Sequence, residues 1–151
     1  MTARSDDENG LGEERQSGFA AAAPLEAYEA IYRLVLSAYR YRCALTGEQF
    51  LADVGLLHPH LAVEAIRPRG TGGPLQINNY IALEEHAARA FRRGQILIED
   101  DYGITVPNPD ALDPAVLVRL NADRRLLVPV EGLFQPSPAH LAFHRQHVLG
   151  A

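Results

Sequence analysis

Three consecutive pieces of sequence decide the fold of this chain: LAVEAIRP at positions 61–68, NNYIAL at 78–83 and EHAARAFRRG at 85–94. Apolar residues dominate Leu61–Ile66, which is therefore predicted to be a strand. Two prolines and three glycines within Arg67–Pro74 predict a loop. Residues 75–83 lead from this loop towards a helix, which we expect over about 83–93 and which ends at Gly94. The centre of the chain is therefore a strand, a loop and a helix.

Helices and short strands are predicted on both sides of this centre. From Leu25 onward, apolar residues recur at spacings of three and four, which predicts a helix ending near residues 39–42. A closing helix is predicted over Ser137–Val148. The other predicted elements are a short strand that enters a glycine turn at 43–47, strands at 95–99, 104–106 and 125–130, and a short helix or strand at 115–120. The fold class is thus α+β, with an N-terminal helix and a C-terminal strand and helix extension.

Length and composition predict one folded domain behind an acidic tail. The chain has 151 residues, of which 47% are hydrophobic, and we expect a single domain over residues 24–151. Residues 1–23 contain few large apolar groups, so they are expected to be disordered. Cys43 is the only cysteine, which excludes an intramolecular disulfide.

Net charge and hydropathy limit which classes of binding partner are expected. The net charge is −5, and an acidic balance argues against strong non-specific affinity for nucleic acid. No apolar run approaches the roughly 18 residues of a membrane span, so no membrane partner is expected. The acidic, polar start of the chain differs from a signal peptide, and we expect a cytoplasmic protein.

Five short pieces, in this order and at nearly ungapped spacing, carry a family resemblance: YRCALTG at 41–47, AIRP at 65–68, NNYIAL at 78–83, AFRRG at 90–94 and IEDDY at 98–102. Together they resemble the bacterial HNH endonuclease family in its restriction-enzyme-like branch. The resemblance implies a ββα-metal core, which is a hairpin, a loop and a helix around one divalent metal ion. In that family a strand histidine is the general base for phosphodiester hydrolysis, and a helix histidine helps to hold Mg²⁺ or a similar ion.

Position by position, the resemblance implies a degenerate site. The general-base histidine falls on Ala65 and the helix metal-ligand histidine falls on Ala88, whose methyl groups neither accept a proton nor bind a metal. The family's orienting asparagine is retained as Asn79, and Glu64 stands where many members carry an acidic metal ligand. His86 lies about 200° around a helix from position 88 and replaces the ligand only in a shifted alignment.

Arginines are the remaining candidates for a nucleic-acid contact, because their guanidinium groups suit bidentate phosphate binding. They are Arg67, Arg69, Arg89, Arg92 and Arg93; the alternative is a solvated face that pairs with nearby glutamates. Three functions stay open at this point: a nucleic-acid-binding protein with lost or reduced activity, a scaffold for a protein partner, and a divergent metal-dependent DNA endonuclease. The first two need no cofactor, whereas the third needs Mg²⁺ or another divalent metal.

Overall fold

The computed structural model describes residues 25–52, 55 and 57–149, and the expected disordered tail lies outside them. Residues 31–151 form one compact unit; of the other unit, residues 1–30, only the start of the first helix is described. The helices and strands are α1 (Leu25–Ala38), β1 (Leu61–Ala65), β2 (Tyr80–Glu84), α2 (Glu85–Arg92), β3 (Leu97–Ile98), β4 (Ile104–Thr105), α3 (Pro114–Leu117) and α4 (Pro138–Leu149). The α+β class expected from the sequence is confirmed. No described helix has the length and apolar character of a membrane span.

The centre of the fold is an antiparallel pair of strands followed directly by a helix. Strands β1 and β2 pair in a register that sets Leu61 opposite Glu84 and Ala65 opposite Tyr80. Residues 66–79 connect them as the predicted loop, which includes two 3₁₀ turns, Arg69–Thr71 and Ile77–Asn79. The chain then passes from β2 into α2 without an intervening residue.

The residue pattern does not predict strand β2, since residues 75–83 indicate only the approach to a helix starting near 83; the second strand is implied by the family resemblance alone. All four residues from Tyr80 to Leu83 are buried. A strand covered on both faces has no alternation of apolar and polar residues, so the period of two that marks a half-exposed strand is absent. Helix α2 consequently begins two residues later than predicted.

Helix α2 is short and capped at its start. The Glu84 carboxylate accepts hydrogen bonds from the backbone N–H groups of His86 and Ala87, which have no partner within the helix. Gly94 follows the helix with φ of 73°, a conformation that favours glycine. A Cβ at this position would lie 2.9 Å from Cβ of Val148, so Gly94 also permits the close approach of α4.

The hydrophobic core lies where β2, α2, β3 and α4 meet. Its fully buried side chains include Leu83, Phe91, Ile98 and Leu141, one from each of these elements. Arg145 of α4 reinforces the packing, since it donates a 2.7 Å hydrogen bond to the Ile98 carbonyl oxygen. The predicted closing helix is therefore confirmed, and it holds the short β3–β4 pair against the rest of the unit.

Two predicted strands are wrong. Residues 43–47 form a turn, flanked by an isolated bridge between Arg42 and Gln49. Residues 125–130 form no strand either, because their backbone bonds go to different segments: Leu126 donates to Tyr102 and Leu127 donates to Ala44. The predicted C-terminal extension thus keeps its helix but lacks its strand. Residues 114–117, left open between helix and strand, form helix α3, whose start is capped by Asp113.

Candidate functional site

Asn79 is fully buried and joins the two ends of the loop between β1 and β2. Its Oδ1 accepts a 2.9 Å hydrogen bond from the Arg67 backbone N–H, while its Nδ2 donates to the carbonyl oxygens of Arg67 (3.0 Å) and Pro74 (3.1 Å). Its backbone carbonyl also accepts from Ile66 N–H at 2.8 Å. The amide group is therefore committed to backbone partners, and it fixes the shape of the loop that follows Ala65.

Glu64 and Arg92 form an ion pair between β1 and α2. The Glu64 Oε1 atom lies 2.6 Å from the Arg92 Nη1 atom. Burial raises the pKa of Glu64 above its ordinary value, and the neighbouring Arg92 guanidinium opposes that rise without cancelling it. The positive charge of Arg92 thus lies beside the Glu64 carboxylate.

The positions implied for a metal ion do not provide a metal site. Ala65 is half-buried, and Ala88 is packed in the hydrophobic core with 1% of its surface exposed. Glu64 is the one carboxylate at these implied positions, and its charge is matched by Arg92. Across the described residues no three histidine, cysteine, aspartate or glutamate side chains lie close enough to hold a metal ion. The donor set present does not fit Mg²⁺ or a similar ion, which needs several oxygen ligands.

Arg67 and Arg69 belong to the loop held by Asn79. The Arg67 guanidinium donates from both Nε and Nη2 to the Thr71 carbonyl oxygen, at 3.1 and 2.7 Å. Its Cζ atom also lies 4.3 Å from the centroid of the Phe143 ring in α4. Arg69 is half-buried; burial raises the pKa of the nearby Tyr80 phenol, and the positive charge of Arg69 only partly opposes that rise. Arg67 is thus occupied with internal contacts rather than presented to solvent.

Arg89 lies on α2 and Arg93 directly follows the helix. Together they line a pocket of about 270 Å³. Both side chains are exposed, and neither has an ion pair or side-chain hydrogen bond to any residue that the structure describes. The other residues that line the pocket are His86, Ala90, Gln95, Ala111 and Asp113. Of the five predicted arginines, the structure brings these two together in one cavity, while it directs Arg92 to Glu64.

His86 lines the same pocket as these arginines, and its ring is held in place by Glu84. Its Nδ1 atom lies 2.7 Å from Oε2 of Glu84, and half of its side chain is exposed. Burial alone would raise the pKa of Glu84, but hydrogen bonds from His86 and Ala87 outweigh it, so the pKa lies below its ordinary value. Because the carboxylate only accepts hydrogen bonds, Nδ1 must carry a proton, which leaves Nε2 as the nitrogen available to a ligand.

Sequence reasoning missed the pocket, although it named three of the residues that line it. Gln95 donates from Nε2 to the Ala111 carbonyl oxygen at 3.1 Å, and Asp113 Oδ1 accepts from Ala115 N–H at 2.9 Å. The first of these bonds holds the segment before α3 beside the residues that follow α2, across 16 residues of sequence, while the second caps α3. One local signal was visible in the sequence: Glu84 stands two positions before His86 at the start of a helix. At this spacing one carboxylate can both cap the helix and contact the histidine ring.

Comparison with known proteins supports the fold alone. No protein-family model matches the chain, and no curated protein matches it. Among solved structures, the chain is similar to a modification-dependent TagI restriction endonuclease, with a TM-score of 0.59 and 23% sequence identity. The match covers 79% of this chain but 37% of that protein. The chain thus shares its fold with about a third of the length of a restriction endonuclease.

Proposed function

We propose that this protein binds nucleic acid through the exposed arginines of α2, without metal-dependent cleavage at the Glu64–Ala65–Ala88 positions. The observation that carries the proposal is the pair Arg89 and Arg93, which share one cavity and have no acceptor among the described residues. Guanidinium groups so placed suit phosphate oxygens. The fold shared with a restriction endonuclease supports a nucleic-acid ligand.

The ββα-metal core of the HNH family belongs to the same proposal. Strand β1, strand β2 and helix α2 follow one another as two antiparallel strands and a helix, although the loop lies between the strands and not before the helix. The Glu64–Arg92 ion pair connects β1 to α2. On this view the guanidinium group of Arg92 provides part of the positive charge that a divalent cation would supply beside Glu64. With alanines at positions 65 and 88, such a site lacks the histidines that the family uses as general base and as metal ligand for phosphodiester hydrolysis.

Fluorescence anisotropy with short labelled single-stranded and duplex DNA, at two salt concentrations, tests the proposal. We expect binding that weakens as salt rises, because phosphate contacts release counterions. The variant Arg89→Gln/Arg93→Gln should bind more weakly and with a salt slope reduced by about two, since each phosphate contact contributes about one. Arg33→Gln is the matched control, because Arg33 is an exposed arginine of α1 outside the pocket.

Two results would contradict the proposal in different ways. Absence of binding to any strand at low salt would remove nucleic acid as the ligand and favour the role of a scaffold for a protein partner. Nicking of supercoiled plasmid with Mg²⁺, Mn²⁺ or Zn²⁺, abolished by Glu64→Gln but not by Arg33→Gln, would instead establish an active metal-dependent nuclease.

A further inference from the structure

The pocket on α2 has the features of a site for one phosphate group rather than for a continuous nucleic-acid backbone. Arg89 and Arg93 are four residues apart, so their side chains emerge one above the other on the same face of the helix. Like charges at this spacing repel each other in the absence of an anion. No described carboxylate pairs with either side chain, and a bound anion would relieve this repulsion.

His86 adds a third ligating group on the same face. It precedes Arg89 by three residues, and the 2.7 Å contact with Glu84 Oε2 fixes its ring. The pocket therefore has two guanidinium groups and a ring of fixed orientation, which donates from Nε2 to an anion when both of its nitrogens carry protons. Preorganised donors of this kind favour a compact, highly charged ligand, because little freedom is lost when it binds.

The surroundings of the pocket are acidic, which limits how far a polyanion can extend. Asp113 lines the pocket itself, the exposed Asp110 directly precedes the lining residue Ala111 in sequence, and Glu85 is exposed at the start of α2. Further phosphates along a strand would approach these carboxylates and be repelled. A terminal phosphate avoids that repulsion, and at neutral pH it has a charge close to −2 where an internal phosphodiester has −1.

The pocket lining also offers hydrogen-bond acceptors. Gln95 donates its Nε2 hydrogen to Ala111, which leaves Oε1 unused by that bond, and Asp113 uses only Oδ1 to cap α3. Hydroxyl or amino groups next to a phosphate, such as those of a sugar or a base, could donate to these oxygens. The pocket volume of about 270 Å³ exceeds what a bare phosphate ion fills.

We propose that this pocket binds a phosphate monoester: the terminal phosphate of a nucleic-acid strand or that of a free nucleotide. Arg89 and Arg93 donate hydrogen bonds to its oxygens, and His86, with protons on both ring nitrogens, donates a further one from Nε2. This inference rests on the proposed nucleic-acid binding for its strand-end form, and it adds a preference for ends over internal phosphodiesters.

The test compares one labelled oligonucleotide sequence with a 5′-phosphate, a 3′-phosphate or hydroxyl groups at both ends. We expect at least about tenfold tighter binding of one phosphorylated form than of the hydroxyl form, as charge-assisted hydrogen bonds are lost with the phosphate. His86→Gln should reduce this preference and Arg89→Gln/Arg93→Gln should abolish it. Arg33→Gln should leave it unchanged. Circular dichroism confirms that each variant is folded.

The possible results separate this inference from the proposed function. Equal affinity for phosphorylated and hydroxyl ends, with binding that still depends on Arg89 and Arg93, overturns the terminal-phosphate site and leaves nucleic-acid binding standing. Binding of a 5′-mononucleotide by the folded protein, with no binding of any strand, supports the monoester site and overturns the proposed function. No binding of strands, mononucleotide or inorganic phosphate overturns both.

Discussion

The His144 ring of α4 lies flat on the Phe91 ring of α2, with centroids 3.8 Å apart and planes inclined by 7°. Its Nε2 atom lies 2.9 Å from the Phe91 carbonyl oxygen. A carbonyl only accepts hydrogen bonds, so Nε2 carries the proton, while the buried Nδ1 has no partner among the described residues. One histidine thus joins the closing helix to the central helix by stacking and by a hydrogen bond.

This contact makes stability sensitive to acid. Burial lowers the pKa of His144 despite its bond to Phe91, so the unfolded chain binds a proton at a higher pH than the folded protein. The free energy of unfolding should therefore fall as the pH drops below the ordinary histidine value of about 6.5. In His144→Leu the fall between about pH 7.5 and 5, measured by urea unfolding, should be smaller.

A second histidine also contributes to the pH dependence of stability. His140 also has a pKa lowered by burial, and by Arg67, so it retains part of the pH dependence in the His144→Leu variant. An unchanged slope in His144→Leu would show that the His144 ring is not held neutral by the fold.

Asn79 should matter for stability through the loop it closes. Asn79→Ala leaves the Arg67 N–H and two carbonyl oxygens without their side-chain partner in a buried place, which costs about 1–3 kcal/mol for an unsatisfied group. Asn79→Asp keeps the acceptor but loses both donors, so it should also destabilise. Asn78→Ala is the neighbouring control, since the Asn78 Oδ1 atom has no hydrogen-bond partner among the described residues. Equal unfolding midpoints for the two alanine variants would contradict the role given to Asn79.

The Glu64–Arg92 pair predicts a second pH effect, of opposite sign. In Arg92→Gln the buried Glu64 loses the group that opposes its raised pKa, so this pKa rises further. The folded variant then binds a proton at a higher pH than the unfolded chain, and its stability deficit against the wild type should shrink as the pH falls. Because Arg92 is half-exposed, we expect a coupling of no more than about 1 kcal/mol in a double-mutant cycle with Glu64→Gln. Additive effects of the two substitutions would contradict the pair.

How far the sequence predicts the fold depends on local signals. Gly94 marks the end of α2 because its positive φ and the approach of Val148 both exclude larger residues. The loop after Ile66 follows from its prolines and glycines. Strand β2 left no such mark, since it is buried on both faces. The strand predicted at 125–130 failed because its backbone partners, Tyr102 and Ala44, lie in separate segments that no local pattern connects.

The site was less predictable for the same reason. Arg92 was grouped with Arg89 and Arg93 as one basic surface of a helix, but its partner Glu64 is 28 residues away in sequence. The turn of the helix directs Arg92 away from Arg89 and Arg93. Only the tertiary structure reveals that Arg92 contacts the carboxylate of Glu64. The wall formed by Gln95 and Asp113 likewise depends on the packing of α3 beside α2, for which the sequence has no local signal.

The last prediction tests whether positions 65 and 88 are those of the two lost histidines. The variant Ala65→His/Ala88→His should gain weak affinity for Zn²⁺ or Mn²⁺ in calorimetry, with Glu64 as a third ligand. Arg92 competes for that carboxylate, so adding Arg92→Gln should strengthen metal binding further. Since Ala88 is packed in the core, its replacement by histidine should cost about 1–3 kcal/mol of stability, and thermal melting by circular dichroism must confirm the fold.

Glu64→Gln in the same triple background is the matched control for ligation, because it keeps the shape of the side chain and removes its charge. Metal affinity should then fall back towards that of the wild type, and metal should no longer raise the melting temperature. If a folded triple variant binds no more metal than the wild type, positions 65 and 88 do not correspond to the two histidines of the HNH family. The β1–β2–α2 arrangement would then owe its likeness to a restriction endonuclease to the fold alone, and Glu64–Arg92 would be an ordinary structural pair.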